Sequence, residues 1–415
     1  MASIPSIALI PSGYKASKLY SVLPTNGNAD LTVVRNSTAN RINKDGLIES
    51  MAVNVPLLDH SNGTCPSLLL QPQSTNLITY PLSFDNAYWT KVGATVTGGF
   101  SSPSVDNPTS AFKLVENTST GVHKIQHTEI STSSNNSYSV YFKPNGITKF
   151  GFRETKETGY YASFDLTLGT VIDKSAQVTA SVTTLNNGWS RCVIHFPVTA
   201  STIMTIFTLN DSYTSGDPAS FSYTGDGTSG VYIFGAQLEE QAFSTSLMLP
   251  STEGSTVTRV AENASKSGLS SEIGQTEGTI FLDFIPQTLD ATSRFLSIEN
   301  SSSASNGWMG VFAKVASGNI RFRFYGDGWD FNSTLIVERD TRYKIAVSYE
   351  NGVQTSAYVN GNLIGNLTAS LSGKSFQKIR LSEAAFGARG DANFNDFRLY
   401  KTALTDAELT TLTTI

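Results

Sequence analysis

Charge is scarce in this chain. Of 415 residues only 15% are Asp, Glu, Lys or Arg, and the formal net charge is −5. No long Lys/Arg run occurs, so the electrostatic footprint of a nucleic-acid binder is missing. Cysteine is nearly absent. Cys65 and Cys192 stand far apart, which excludes both a disulfide framework and a CxxC metal site. Two free thiols buried as small hydrophobes are expected. No apolar run approaches the roughly 20 residues that span a bilayer. Met1-Ala2-Ser3-Ile4-Pro5 carries no basic stretch leading into an apolar one, so no cleaved secretory signal is expected. Synthesis in a cytosol fits these absences, and the Asn-x-Ser/Thr triplets at Asn36, Asn117, Asn332 and Asn366 then read as chance.

Thr, Ser, Asn and Gly fill the gap, residues of turns and exposed strands rather than of helices. With 39% hydrophobic residues there is enough apolar side chain for two or three cores. The texture predicts an all-β chain with two antiparallel jelly-roll sandwiches in tandem, preceded by an extended N-terminal arm. Residues 1–75, rich in Pro, Asn and Ser, are the expected arm, serving attachment and oligomerisation. Its short apolar pieces are Ile7-Ala8-Leu9-Ile10 and Leu68-Leu69-Leu70. Residues 76–250 alternate strand-like runs with Gly/Asn/Ser/Pro breaks, the pattern of a sandwich. The runs include Ser137–Phe142, Trp189–Phe196 and Val231–Phe234. Residues 251–275, without a large apolar cluster, form the expected linker. Residues 276–415 are the second sandwich.

That last region has the sharpest pattern. Large apolar residues fall on every second position of Tyr343-Lys344-Ile345-Ala346-Val347-Ser348-Tyr349, which puts them on one face of a strand. Asn351-Gly352 and Asn360-Gly361 each predict a type I′ hairpin turn, which needs positive φ at both positions. Ile320-Arg321-Phe322-Arg323-Phe324 alternates in the same way. Thr405 and Glu408 make a capping box for one short helix.

The segments Thr279–Phe284, Tyr358-Val359-Asn360-Gly361 and Asn395–Leu409 together resemble a laminin-G/concanavalin A-like domain. A second resemblance runs upstream. Its residues are Arg35–Asn43, Thr75–Tyr80, Asn86–Lys91, Tyr232–Glu240 and the stretch from Thr245 to Arg259. These are similar to a series found in tailed-bacteriophage head-fibre, spike or tail-fibre virion proteins, whose module resembles carbohydrate-binding jelly rolls. The resemblance implies a structural component of the virion surface, made in the bacterial cytoplasm. Its expected partners are itself as a homo-oligomer with trimers favoured, other virion proteins through the arm, and host cell-surface glycans. Nucleic acid, membrane insertion and cofactors are not expected. Alternatives are a dedicated glycan-binding adhesin or a polysaccharide depolymerase.

Catalytic signals are weak. A sandwich glycosidase needs paired carboxylates, which on one strand recur at period two. Asp283 stands alone in its strand and reads as solvent-facing. His123 and His127 have a zinc-like spacing only if helical, and their context is a strand. Arg389-Gly390-Asp391 reads as an ordinary turn. Asp226, Asp327 and Asp391 sit in Gly-flanked loops that suit single oxygen ligands, but no metal is assigned. The strongest candidate glycan-contact residues are Tyr325, Asp327, Trp329, Asp330, Asn332 and, more remotely, Trp308. Aromatic faces beside acceptors are what a sugar requires. The competing reading for Trp308 and Trp329 is plain core packing beside a glycine turn.

Overall fold

The computed structural model describes all residues except 1–2, 134, 158, 186, 198–199, 290–292, 301–307, 317–318, 327–328 and 383–388; side chains at 315–320 and 325–330 are also outside the description. The fold is nearly all-β, and α1 (Asp406–Thr413) is the one α-helix among the described residues. Thr405 accepts from the Glu408 amide while the Glu408 carboxylate accepts from the Thr405 amide, which is the predicted capping box.

Two units form. One gathers residues 1–38, 51–73 and 260–415; the other gathers 39–50 and 74–259. The division along the chain is therefore interleaved, and the expected arm and linker require correction. In the first unit, one sheet runs in the order Asn362–Thr368, Gln354–Val359, Tyr343–Glu350, Glu277–Pro286, Ala392–Tyr400, Ser67–Leu70 and Leu57–Asp59. Ile7–Leu9 also pairs with Ala392–Tyr400, placing Ile7 opposite Leu399. The other sheet has nine strands. It runs Tyr14–Lys15, Lys18–Leu19, Leu31–Val34, Asn263–Ser267, Lys378–Leu381, Arg294–Glu299, Trp308–Ala316, Asn319–Gly326 and Trp329–Ile336. The two sheets bury Ile7, Leu9, Leu31, Leu68, Phe284, Ile345 and Phe397 in one core. The segment 1–75 is thus part of two sandwiches. Its apolar pieces are short because each supplies a single strand to a sheet completed from far along the chain.

The expected linker holds two strands. Val257–Arg259 pairs with Ser74–Asn76 in the second unit, and Asn263–Ser267 pairs with both Leu31–Val34 and Lys378–Leu381 in the first. Its buried residues are scattered: Ala264, Leu269 and Ile273 join the first unit's core, while Arg259 and Glu262 are buried and charged. Arg35 and Glu262, both with fully buried side chains, form an ion pair at 3.2 Å. Arg35 also donates to the carbonyls of Ser37, Ala52 and Val55, and Glu262 accepts from the Gln71 amide. Buried charges persist only when paired and hydrogen-bonded in this way.

The second unit is a sandwich of two six-stranded sheets. Trp89, Tyr138, Phe142, Phe150, Phe152, Phe164 and Ile194 fill the space between them. Residues named above for their resemblance to virion proteins fix the chain here. The Asn76 amide donates to the Ala236 and Met248 carbonyls and accepts from the Ile78 and Leu238 amides. Buried Glu239 accepts from Ser74, Gln237, Gln241 and both the amide and hydroxyl of Thr245.

The two hairpin expectations part company. Asn360 and Gly361 both take positive φ, +50° and +79°, as the type I′ turn demands. At Asn351-Gly352 only Gly352 does, at +73°. Asn351 is held otherwise: its amide bonds to Thr276 O and its side chain accepts from the Leu371 amide. Both cysteines are free, but only Cys192 is buried; Cys65 is exposed, because it sits in the turn segment between Leu57–Asp59 and Ser67–Leu70 rather than in a core strand.

Candidate functional site

The nine-stranded sheet has one face in the core and one turned outward. Met309, Val311, Ala313, Phe322 and Phe324 point into the core. Strand period then turns Trp308, Gly310, Phe312, Lys314, Arg321, Arg323 and Asn332 to the outer side. Cross-strand register orders them in rows. Arg294 lies opposite Phe312, Phe312 opposite Arg323, and Arg323 opposite Asn332. Lys314 lies opposite Arg321, and Glu299 opposite Trp308.

Trp308 is half-buried and meets Phe312 edge-on, with ring centroids 5.5 Å apart and planes at 88°. The Arg294 guanidinium lies 5.8 Å from the Trp308 ring and 5.4 Å from the Phe312 ring, within cation–π range. Gly310 leaves room for this: a Cβ there would come within 2.9 Å of the Phe312 ring and 2.1 Å of Leu296 O. Glu299 accepts from Ser297 at 2.7 Å and pairs with Arg380 at 3.0 Å. Asn332 is exposed. The outer face therefore offers a partly open indole, guanidinium donors and an amide, the groups that engage both the C–H face and the hydroxyls of a sugar.

Of the residues expected from sequence, Trp308 and Asn332 are brought to this face. Tyr325 and Asp330 oppose one another in the adjoining hairpin, and Trp329 opposes Gly326; the side chains of Tyr325, Trp329 and Asp330 lie outside the described residues, as does Asp327 altogether. The sequence reading missed Arg294, Phe312 and Arg323. The alternation Ile320-Arg321-Phe322-Arg323-Phe324 held a signal for Arg323, but pairing with Phe312 depends on register.

Other candidates are absorbed into the fold. Asp283 is not solvent-facing: its side chain is 5% exposed. Arg342 holds it through two bonds of 2.8 and 2.6 Å, and Asn395 adds one of 3.1 Å. It does not stand alone either, since Asp396 lies directly across from it. Burial pushes the Asp396 carboxyl above its ordinary range, opposed by Arg398, while Asp283 pushes it up further. Sequence missed this pair because its members lie on strands more than a hundred residues apart. Each acid has its own arginine.

His123 and His127 are fully engaged by backbone. His127 Nε2 accepts from the Met204 amide and Nδ1 donates to Thr128 O; burial lowers its pKa to about 4. The His123 ring nitrogens face Gly93 O at 2.6 Å and Tyr223 O at 3.2 Å. Asp391 is 1% exposed and clamped by Arg389 at 2.8 Å, so Arg389-Gly390-Asp391 is closed on itself. The Asp226 carboxylate is consumed by its own loop, accepting from Thr228 and Ser229, which holds it well below the usual range. Among the described residues no three His, Cys, Asp or Glu side chains converge as a metal site.

Residues 276–410 match the concanavalin A-like lectin/glucanases superfamily, about a third of the chain. No curated protein matches. Solved structures with similarity include a Ruminococcus gnavus IT-sialidase CBM40, 17% identical over 34% of this chain and 85% of that one, with a TM-score of 0.28. Domain 4 of AbnA, a GH43 arabinanase from Geobacillus stearothermophilus, is 14% identical over 41% and 82%, with a TM-score of 0.30. A heptameric SAP-like pentraxin from Limulus polyphemus is 13% identical over 34% and 70%, at 0.28.

Proposed function

We propose that the protein is a non-catalytic, glycan-contacting component of a bacteriophage virion surface, such as a head fibre, capsid decoration or tail fibre. The observation that carries glycan contact is the outer face built on Trp308, Phe312, Arg294 and Asn332. The virion assignment is supported by the upstream motif series, whose Asn76, Gln237 and Glu239 pin the second unit. Self-association, with trimers favoured, belongs to this reading. Attachment through residues 1–75 as a free arm does not, since those residues complete both sandwiches. A depolymerase is disfavoured by the Asp283/Asp396 pair, in which each carboxylate is committed to an arginine rather than left for proton transfer.

Binding of the purified protein to host-envelope polysaccharide and to a glycan array is the test. Trp308→Ala is expected to weaken binding at least about tenfold, equivalent to roughly 1.4 kcal/mol. Undiminished binding by that variant overturns the choice of face, and reducing-sugar release overturns the non-catalytic reading. Immunogold labelling of particles that left the surface unmarked would overturn the virion assignment.

A further inference from the structure

We propose that the glycan taken by this outer face carries a carboxylate, bound at the end formed by Lys314 and Arg321. The inference rests on the glycan-contact reading above and assigns the class of sugar.

The two ends of the face differ in how charge is met. At the Trp308 end Glu299, across from Trp308, is paired with Arg380 at 3.0 Å. The opposite end holds Lys314 directly across from Arg321, with Arg323 two residues along the same strand face. Like charges directly opposed across two strands destabilise the pair. Neither is relieved from within: among the described residues Lys314 and Arg321 make no ion pair. Glu338 lies two residues beyond Ile336, the register partner of Arg321, and is exposed and paired with neither.

A second observation points to a ligand. The Arg321 Nε is buried and has no hydrogen-bond partner. A guanidinium nitrogen withdrawn from water with its bond unmade is costly, and a carboxylate oxygen is the acceptor it best accommodates. The geometry suits an oligosaccharide rather than a single sugar. Trp308 and Lys314 are six residues apart on one strand, about 20 Å at the usual rise. One ring would pack on Trp308 while the acidic residue reaches Arg321.

The test uses the full-length protein, with a galacturonic acid oligosaccharide and its carboxyl-reduced neutral counterpart as probes. The acidic probe is expected to bind at least about tenfold tighter at low salt, with the difference shrinking as salt rises. Arg321→Ala and Lys314→Ala should each cut the preference severalfold and leave neutral binding unchanged. Arg321→Lys, which keeps the charge, should retain part of it. Trp308→Ala should weaken both probes. Equal binding of the two probes, or a preference that survives Arg321→Ala, overturns the acidic assignment while leaving the glycan reading standing. Binding of neither probe, nor of any array glycan, overturns both. Near-UV circular dichroism of each variant shows that lost binding is not lost folding.

Discussion

Deleting residues 1–38 should unfold the first unit and spare the second. The deletion removes Ile7, Leu9, Leu19, Leu31 and Val33, each at most 3% exposed. At about 1.5–3 kcal/mol for each buried aliphatic side chain, the loss is roughly 8–15 kcal/mol. That equals the whole stability of a typical domain, about 5–15 kcal/mol. The deletion also takes Leu31–Val34 from its place between Lys18–Leu19 and Asn263–Ser267, leaving Asn263–Ser267 as a raw sheet edge. Limited proteolysis with mass spectrometry is the assay. Cuts should appear throughout 260–415 while 74–259 stays resistant, and urea unfolding should lose the transition belonging to the first unit. A deleted chain that keeps both transitions at unchanged midpoints would refute the assignment of these strands and restore a dispensable arm.

The buried His127, with its pKa lowered from 6.5 to about 4, makes stability pH-dependent in a known direction. The fold favours the neutral ring, so its contribution is complete above about pH 6.5 and fades as pH falls toward 4. Between pH 7 and 5 the loss is about 2 kcal/mol, and His127→Gln should flatten that slope in denaturant titrations; an unchanged slope contradicts the assignment. Arg35→Met should cost about 3–5 kcal/mol by stranding Glu262, whereas Arg35→Met with Glu262→Leu should recover much of it. Equal losses in the single and double variants, measured by urea midpoints, would show that the ion pair is not the cause. Gly361→Val forces a β-branched residue to φ +79° and should cost about 1–3 kcal/mol, read as a drop in melting temperature; no drop would count against the type I′ turn.

Local chemistry was legible and long-range pairing was not. The period-two run from Tyr343 to Tyr349, the turn at Asn360-Gly361 and the capping box at Thr405 each depend on neighbours a few residues away, and each has the expected structure. Asn351-Gly352 carries the same dipeptide as the turn that formed, but tertiary bonds to Thr276 and Leu371 set its shape. The arm failed as an expectation because strands of three or four residues, such as Ile7–Leu9, have too few positions to show a period. The linker failed because its core residues Ala264, Leu269 and Ile273 are too scattered to show a period, and its buried Glu262, paired with Arg35, is of a type that reads as surface. At the outer face the single residues Trp308 and Asn332 were visible as sugar-contact types. Their neighbourhood with Arg294 and Phe312 exists only once four strands are in register.

The interleaving has a consequence for synthesis on the ribosome. The second unit has its full complement of strands once Arg259 has emerged. The first cannot close until Ala392–Tyr400 arrives to pair with Ile7–Leu9, Ser67–Leu70 and Glu277–Pro286. Leu70 waits for Ala392 across about 320 residues, roughly 15–60 s at ordinary elongation rates. For that interval the earliest strands, with their apolar side chains and open backbone edges, are exposed in the cell, while the unit made in the middle is already folded. The order of folding is thus middle first and ends last, and the stretch of nascent chain that stays open longest is its amino-terminal strands rather than its centre.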